Sequence, residues 1–157
     1  MAASGCTGGS EQAMTDVAGK ADPTMSGYLE EYSSGLEHHW AGKGNFENAT
    51  MYWDSGEYGL SIPYYDAAGR EYSQARAGYD NMKRYTNNTT EIMFASNLSD
   101  CAQCLGTASG CFLDAAEKMR SGNVTGSELS YLMGQRLIDE SDTYLNNSIE
   151  LMPEWLQ

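Results

Sequence analysis

Basic residues are scarce in this chain: nine Lys and Arg stand against 22 Asp and Glu, for a net charge of −13. That shortage excludes nucleic acid as a partner, because binding it needs clustered cations to displace counterions. It also disfavours direct adsorption to an anionic membrane. No apolar run approaches the roughly 18 residues of a membrane-spanning helix. Proline and phenylalanine each occur only three times. The two histidines are adjacent, His38 and His39, so a nucleophile–base triad has to use one of them. There is no His-Glu-x-x-His, phosphate-binding glycine loop, calcium loop, Gly-x-Ser-x-Gly or Cys-x-x-Cys-His. The Glu-x-x-His pairs of a bundle di-iron centre are missing too. The chain therefore reads as non-enzymatic and without a cofactor.

What remains is a globular composition. Apolar residues make up 41% of 157 residues, with 11 Tyr, 9 Met and 17 Gly, which suits one domain with a core of its own. Asp22-Pro23 is a helix start, with Asp as N-cap and Pro in the first turn. Met25, Tyr28, Leu29, Tyr32, Leu36, His39 and Trp40 then recur at helical steps, and Gly42, Gly44 and Asn45 end the element near Ala41. A short helix is expected over 46–55 and a long one over 60–85, with Pro63 tolerated in its first turn. Its stripe is Ile62, Tyr65, Ala68, Tyr72, Ala75, Tyr79 and Met82. Ile92, Met93 and Phe94 carry no clear periodicity. Ser99 is the expected cap of a helix with Cys101, Leu105, Ala108, Phe112, Ala115 and Met119 inward. Thr125-Gly126-Ser127-Glu128 reads as a capping box for a last helix over 127–152. Its expected stripe is Leu129, Leu132, Met133, Leu137, Tyr144, Leu145, Ile149 and Met152, and Pro153 ends it. Strand signals are lacking. The expected architecture is all-α: an antiparallel four-helix bundle or a helical-hairpin array. Residues 22–157 form the helical domain and 1–21 a Gly- and Ser-containing tether.

Two local patterns point outside the cell. Ala3-Ser4-Gly5-Cys6 resembles the lipobox of prokaryotic lipoproteins, which implies a lipid on Cys6. The charged and apolar part of a leader is not in the chain, and Met1-Ala2 is read as a start that replaces it. Asn48, Asn87, Asn88, Asn97, Asn123 and Asn146 each open an Asn-x-Ser/Thr triplet, six of the nine asparagines. Ser and Thr make up 26 of 157 residues, so chance predicts about one or two such triplets, and the excess marks glycan acceptors. Asn87, Asn88, Asn97 and Asn123 are expected in loops. Together the patterns resemble archaeal-type surface lipoproteins, which implies an extracellular, lipid-anchored protein. Residues 45–78 resemble a single tetratricopeptide repeat, through Ala49, Tyr52, Gly56, Tyr58, Ile62, Tyr64, Tyr65 and Ala68, with Ser61 where a small alanine is usual. One repeat cannot bury its own face, and helix-hairpin packing alone selects the same residues.

The sharpest chemistry is Cys101, Cys104 and Cys111. Their offsets of three and seven put them on one face of a helix. Cys101 and Cys104 are close enough to be bridged, and a break at Gly106 or Gly110 would bring Cys111 within reach. Buried thiols, a disulfide, a redox Cys-x-x-Cys, or a Zn²⁺ or Cu⁺ site completed by His38 or His39 all remain open. The leading functional expectation is a module that binds a protein or peptide through an aromatic helical groove of Tyr52, Trp53, Tyr58, Tyr64, Tyr65 and Tyr72. Self-association as a structural subunit of an envelope or filament is the other open reading.

Overall fold

A computed structural model describes residues 23–156. The expected tether, the expected lipidation site at Cys6 and the expected Asp22 cap lie outside the described residues. The rest is four helices, α1 (Pro23–Asp54), α2 (Tyr58–Met82), α3 (Thr89–Arg120) and α4 (Val124–Glu150), and a 3-10 turn, η1 (Glu154–Leu156). Among the described residues there is no strand, and no helix is long and apolar enough to cross a membrane. Gly56 (φ 77°) and Gly122 (φ 82°) take the left-handed conformation in the α1–α2 and α3–α4 turns, where a side chain would be strained.

Each helix packs on the next in the chain, α1 on α2, α2 on α3 and α3 on α4. The seams are built from small residues at seven-residue spacing. In α1 these are Gly35, Gly42 and Ala49, in register with Tyr28, and in α2 Ser61, Ala68 and Ala75, in register with Met82. In α3 they are Ala95, Ala102, Ser109 and Ala116, and in α4 Ser127, Gly134, Ser141 and Ser148; all are buried. Such positions let backbones approach closely, and a strict seven-residue repeat keeps each seam facing its neighbour along the helix.

Several expectations need correction. α1 does not stop at Ala41. It runs on to Asp54 and absorbs the expected short helix. Gly42 serves a close approach and not a break: a Cβ there would meet the Tyr72 ring at 3.0 Å. Leu29 and Trp40, expected inside, are exposed. α3 begins ten residues before Ser99, at Thr89, with the Asn88 side chain accepting from the Thr90 N–H. Ser99 is instead buried in mid-helix and donates to Asp80 at 2.8 Å. α4 is capped by Asn123, which accepts from the Gly126 N–H at 3.0 Å, and not by the expected box. Its inward stripe is the serine row, while Leu129 (63% exposed), Leu132 (61%) and Met133 (55%) face water. The serines donate to backbone carbonyls: Ser127 to Ala115 of α3 at 2.8 Å, and Ser141 and Ser148 one turn back within α4.

Candidate functional site

The seam that would close the bundle is missing. No Cα of α1 lies within 8 Å of one in α4. Near the two ends of this flank, aromatic rings from its two sides meet. Trp53 stacks on Tyr131 with ring centroids 5.3 Å apart, and Tyr28 meets Trp155 of η1 edge-on at 5.4 Å. Between these gates runs a cleft of about 450 Å³. Its length follows from α1: Tyr32 to Phe46 spans about 21 Å at 1.5 Å per residue.

Two matched ladders form the walls. Tyr32, His39 and Phe46 descend from α1 in register with Trp53. Ile138 and Leu145 descend from α4 in register with Tyr131, and Met152 follows just past the end of the helix. Counting in sevens from the Trp53–Tyr131 stack pairs Phe46 with Ile138 and His39 with Leu145, and these four line the cleft together with Tyr32 and Met152. α2 and α3 supply the floor through Tyr72, Tyr79, Leu98, Cys101 and Leu105. The buried core is divided accordingly. One cluster gathers Tyr28, Tyr79, Met82, Phe94 and Leu98, the other Ala49, Tyr65, Ala108 and Phe112.

The layer between them holds His39. Its ring lies edge-on to Tyr72 at 5.6 Å, and its Nδ1 is shielded from water with no hydrogen-bond partner. Burial, then the Lys43 charge, lowers its pKa from 6.5, so the ring is neutral at pH 7. At the mouth, the Lys43 ammonium sits 5.1 Å from the Trp40 ring centroid and 3.8 Å from Glu47. Asp142 of α4 also lines the cleft. His38 points elsewhere and pairs with Glu71 of α2 at 2.8 Å.

The six rings of the expected aromatic groove do not share one cleft, and Trp53 lines a separate hollow with Tyr131 and Leu132. Tyr65 and Tyr72 are core side chains, 1% and 3% exposed. Tyr52 stacks on Tyr64 at 5.4 Å, and Trp53 lies edge-on to Tyr58 at 5.0 Å, so these rings pack the α1–α2 corner on itself. Of the six, only Tyr72 reaches the cleft. The cysteines need the same correction. α3 is unbroken through Gly106 and Gly110, and Cys101, Cys104 and Cys111 are free thiols, so the expected bridge is not formed. Burial, then the neighbouring Cys104, pushes the Cys101 thiol up to about 12. Burial likewise raises Cys104 and Cys111. These are inert, protonated thiols and not poised nucleophiles. Among the described residues no three His, Cys, Asp or Glu side chains converge to hold a metal ion, so His39 does not complete a site with the three thiols.

Five of the sequon asparagines, Asn48, Asn87, Asn88, Asn123 and Asn146, are exposed, and Asn97 is half-buried. Asn97, expected in a loop, lies within α3. The chain matches no family model, no curated protein and no solved structure.

Proposed function

We propose that the chain is a non-catalytic interaction module of the cell exterior, lipid-anchored and glycosylated, whose α1–α4 cleft receives a helix from a protein or peptide partner. The carrying observation is the unclosed flank: two antiparallel helices present ladders of large side chains to each other and leave about 450 Å³ between them. A helix laid there would place anchors at i, i+3, i+4 and i+7 between the ladders, and three or four large side chains fill such a volume. Leaving catalysis aside is supported by the state of the candidate groups, three protonated thiols and a histidine enclosed by aromatic rings. Placement outside the cell is supported by the lipobox-like start and by sequon side chains that all retain access to solvent. The likeness of residues 45–78 to a tetratricopeptide hairpin adds no separate weight.

Two variants of equal charge change test the cleft. Leu145 lines it and Leu132 does not. Leu145→Arg should weaken binding of an amphipathic helical peptide about tenfold or more, the loss of a buried anchor, while Leu132→Arg stays within about twofold. Equal effects would remove the proposal. One observation favours a second reading, self-association: Leu129, Leu132 and Met133 form an exposed apolar face on α4. Dimers at micromolar concentration that Leu132→Arg dissociates would support it. Intact mass of the native protein, without lipid or glycan, would count against the location.

A further inference from the structure

We infer that the exposed face of α4 is a two-fold contact between copies of this chain, in which α4 lies antiparallel on α4 about Leu132 and Arg136 of each copy meets Glu128 of the other. This contact gives the self-association reading above, on which it rests, a surface and a direction, and it leaves the α1–α4 cleft free.

α4 buries Ser127, Gly134, Ser141 and Ser148, and the residues half a turn round from that row face water. Leu129 and Leu132 lie there with Met133 beside them, each more than half exposed. Together they leave roughly 300 Å² of apolar surface open on each copy, the size at which a patch on a monomer is ordinarily functional. A little over half of a protein interface is apolar. The patch is therefore the apolar share of a contact of about 1,200 Å² in all, the low end for specific complexes and enough for a pair that forms at micromolar concentration.

Charge decides what covers it. Two chains of net charge −13 repel each other at long range, so a surface that pairs copies has to carry both signs. Glu128, Leu132 and Arg136 follow at steps of four along one ridge of the helix, and both charged residues are exposed. Five bases pair with carboxylates of their own chain. Among the described residues neither Arg136 nor Glu128 forms an ion pair.

These two charges of opposite sign stand about 6 Å to either side of Leu132 along the helix axis. A two-fold axis through Leu132 exchanges the ends of the ridge. Each Arg136 then comes to the Glu128 of the other copy, twice in one contact. Leu132 meets its counterpart on the axis, and Leu129 and Met133, on the next ridge, flank it. A parallel pair would set Arg against Arg and Glu against Glu. A partner of one charge sign would match one end of the ridge and oppose the other. The apolar side chains thus set the strength of the contact and the charges set its direction.

The test is sedimentation of the full chain from about 1 to 100 µM. The parent should form dimers, and Leu132→Arg should stay monomeric. Glu128→Arg or Arg136→Glu alone sets like charges at both contacts and should weaken the dimer about tenfold or more. The double variant Glu128→Arg/Arg136→Glu should recover the parent affinity to within about threefold. An equimolar mixture of the two single variants should form mixed dimers more readily than either variant dimerises alone, since one copy then brings two arginines and the other two glutamates. All three positions are exposed, and unchanged thermal melts of the variants show that the fold is not what moved. Dimers that depend on Leu132 but ignore both charge reversals overturn the antiparallel contact and leave self-association standing. A chain that is monomeric throughout overturns both and leaves the face to a different protein. Dimers abolished by Leu145→Arg and not by Leu132→Arg place the second copy in the cleft and overturn the α4 contact.

Discussion

Gly35 and Gly44 lie on the same helix in opposite circumstances. A Cβ on Gly35 would meet the Tyr79 ring at 2.7 Å and the Ala75 carbonyl oxygen at 3.2 Å, while one on Gly44 would meet nothing within 4 Å. Across the seam, a Cβ on Gly78 would come within 3.0 Å of Gly35 backbone atoms. The two glycines thus mark where α1 and α2 touch backbone to backbone. Gly35→Ala gains helix propensity but must displace a core ring and a carbonyl, and overpacking of that kind costs about 1–3 kcal/mol. Gly44→Ala keeps only the gain, about 0.5–1 kcal/mol. Urea unfolding should therefore move in opposite directions for the two variants. A Gly35→Ala protein as stable as the parent would show that the seam is looser than its distances imply.

At the scale of the element, the seam of α2 is legible because large rings recur beside its small residues, while the seam of α4, made of serines and a glycine, is not. The α2 stripe from Tyr65 to Met82 is buried as its periodicity predicts. The α4 leucines are just as periodic, yet the helix turns its serines inward, because close backbone approach to α3 leaves no room for a Leu at those positions. The better signal was the sevenfold recurrence of Ser127, Gly134, Ser141 and Ser148. The same blindness hid the cleft, since Tyr32, His39 and Phe46 form a ladder only when counted in sevens, and Gly42 between them reads as a stop. Helix ends were misplaced for a related reason. Asn88 and Asn123 each open an Asn-x-Ser/Thr triplet, and both also cap helices. The two roles separate experimentally. In unglycosylated protein, Asn123→Ala should cost about 1 kcal/mol through the lost cap. Thr125→Ala destroys the same triplet while leaving the cap bond in place, and should cost no more than about 0.5 kcal/mol. Thermal melts of the two variants decide it, and equal losses would mean that the Asn123 side chain does not hold the end of α4.

For the whole molecule, charge acts on folding and on binding with opposite signs. The chain carries 22 acids and nine bases. The Lys and Arg ion pairs of the described residues, Lys43–Glu47, Arg70–Asp66, Arg76–Asp80, Lys83–Asp80 and Lys118–Asp114, all join neighbours at i,i+3 or i,i+4, within one helix or, for Lys83, at its C-cap. Pairs of that kind contribute only about 0.3–0.5 kcal/mol each. Between helices, a hydrogen bond of the His38 ring with the Glu71 carboxylate joins α1 to α2. The excess negative charge therefore repels itself across the compact state with little to offset it. Salt screens that repulsion over a Debye length of about 10 Å at 0.1 M, so the melting temperature should rise as salt is raised from about 0.01 to 0.3 M. A basic helix in the α1–α4 cleft is drawn by the same field, so its affinity should fall over the same range. One titration, read by melting without peptide and by binding with it, should give slopes of opposite sign. If affinity is flat while stability climbs, the partner is held by its apolar face alone, and the acidic surface serves solubility and not recognition.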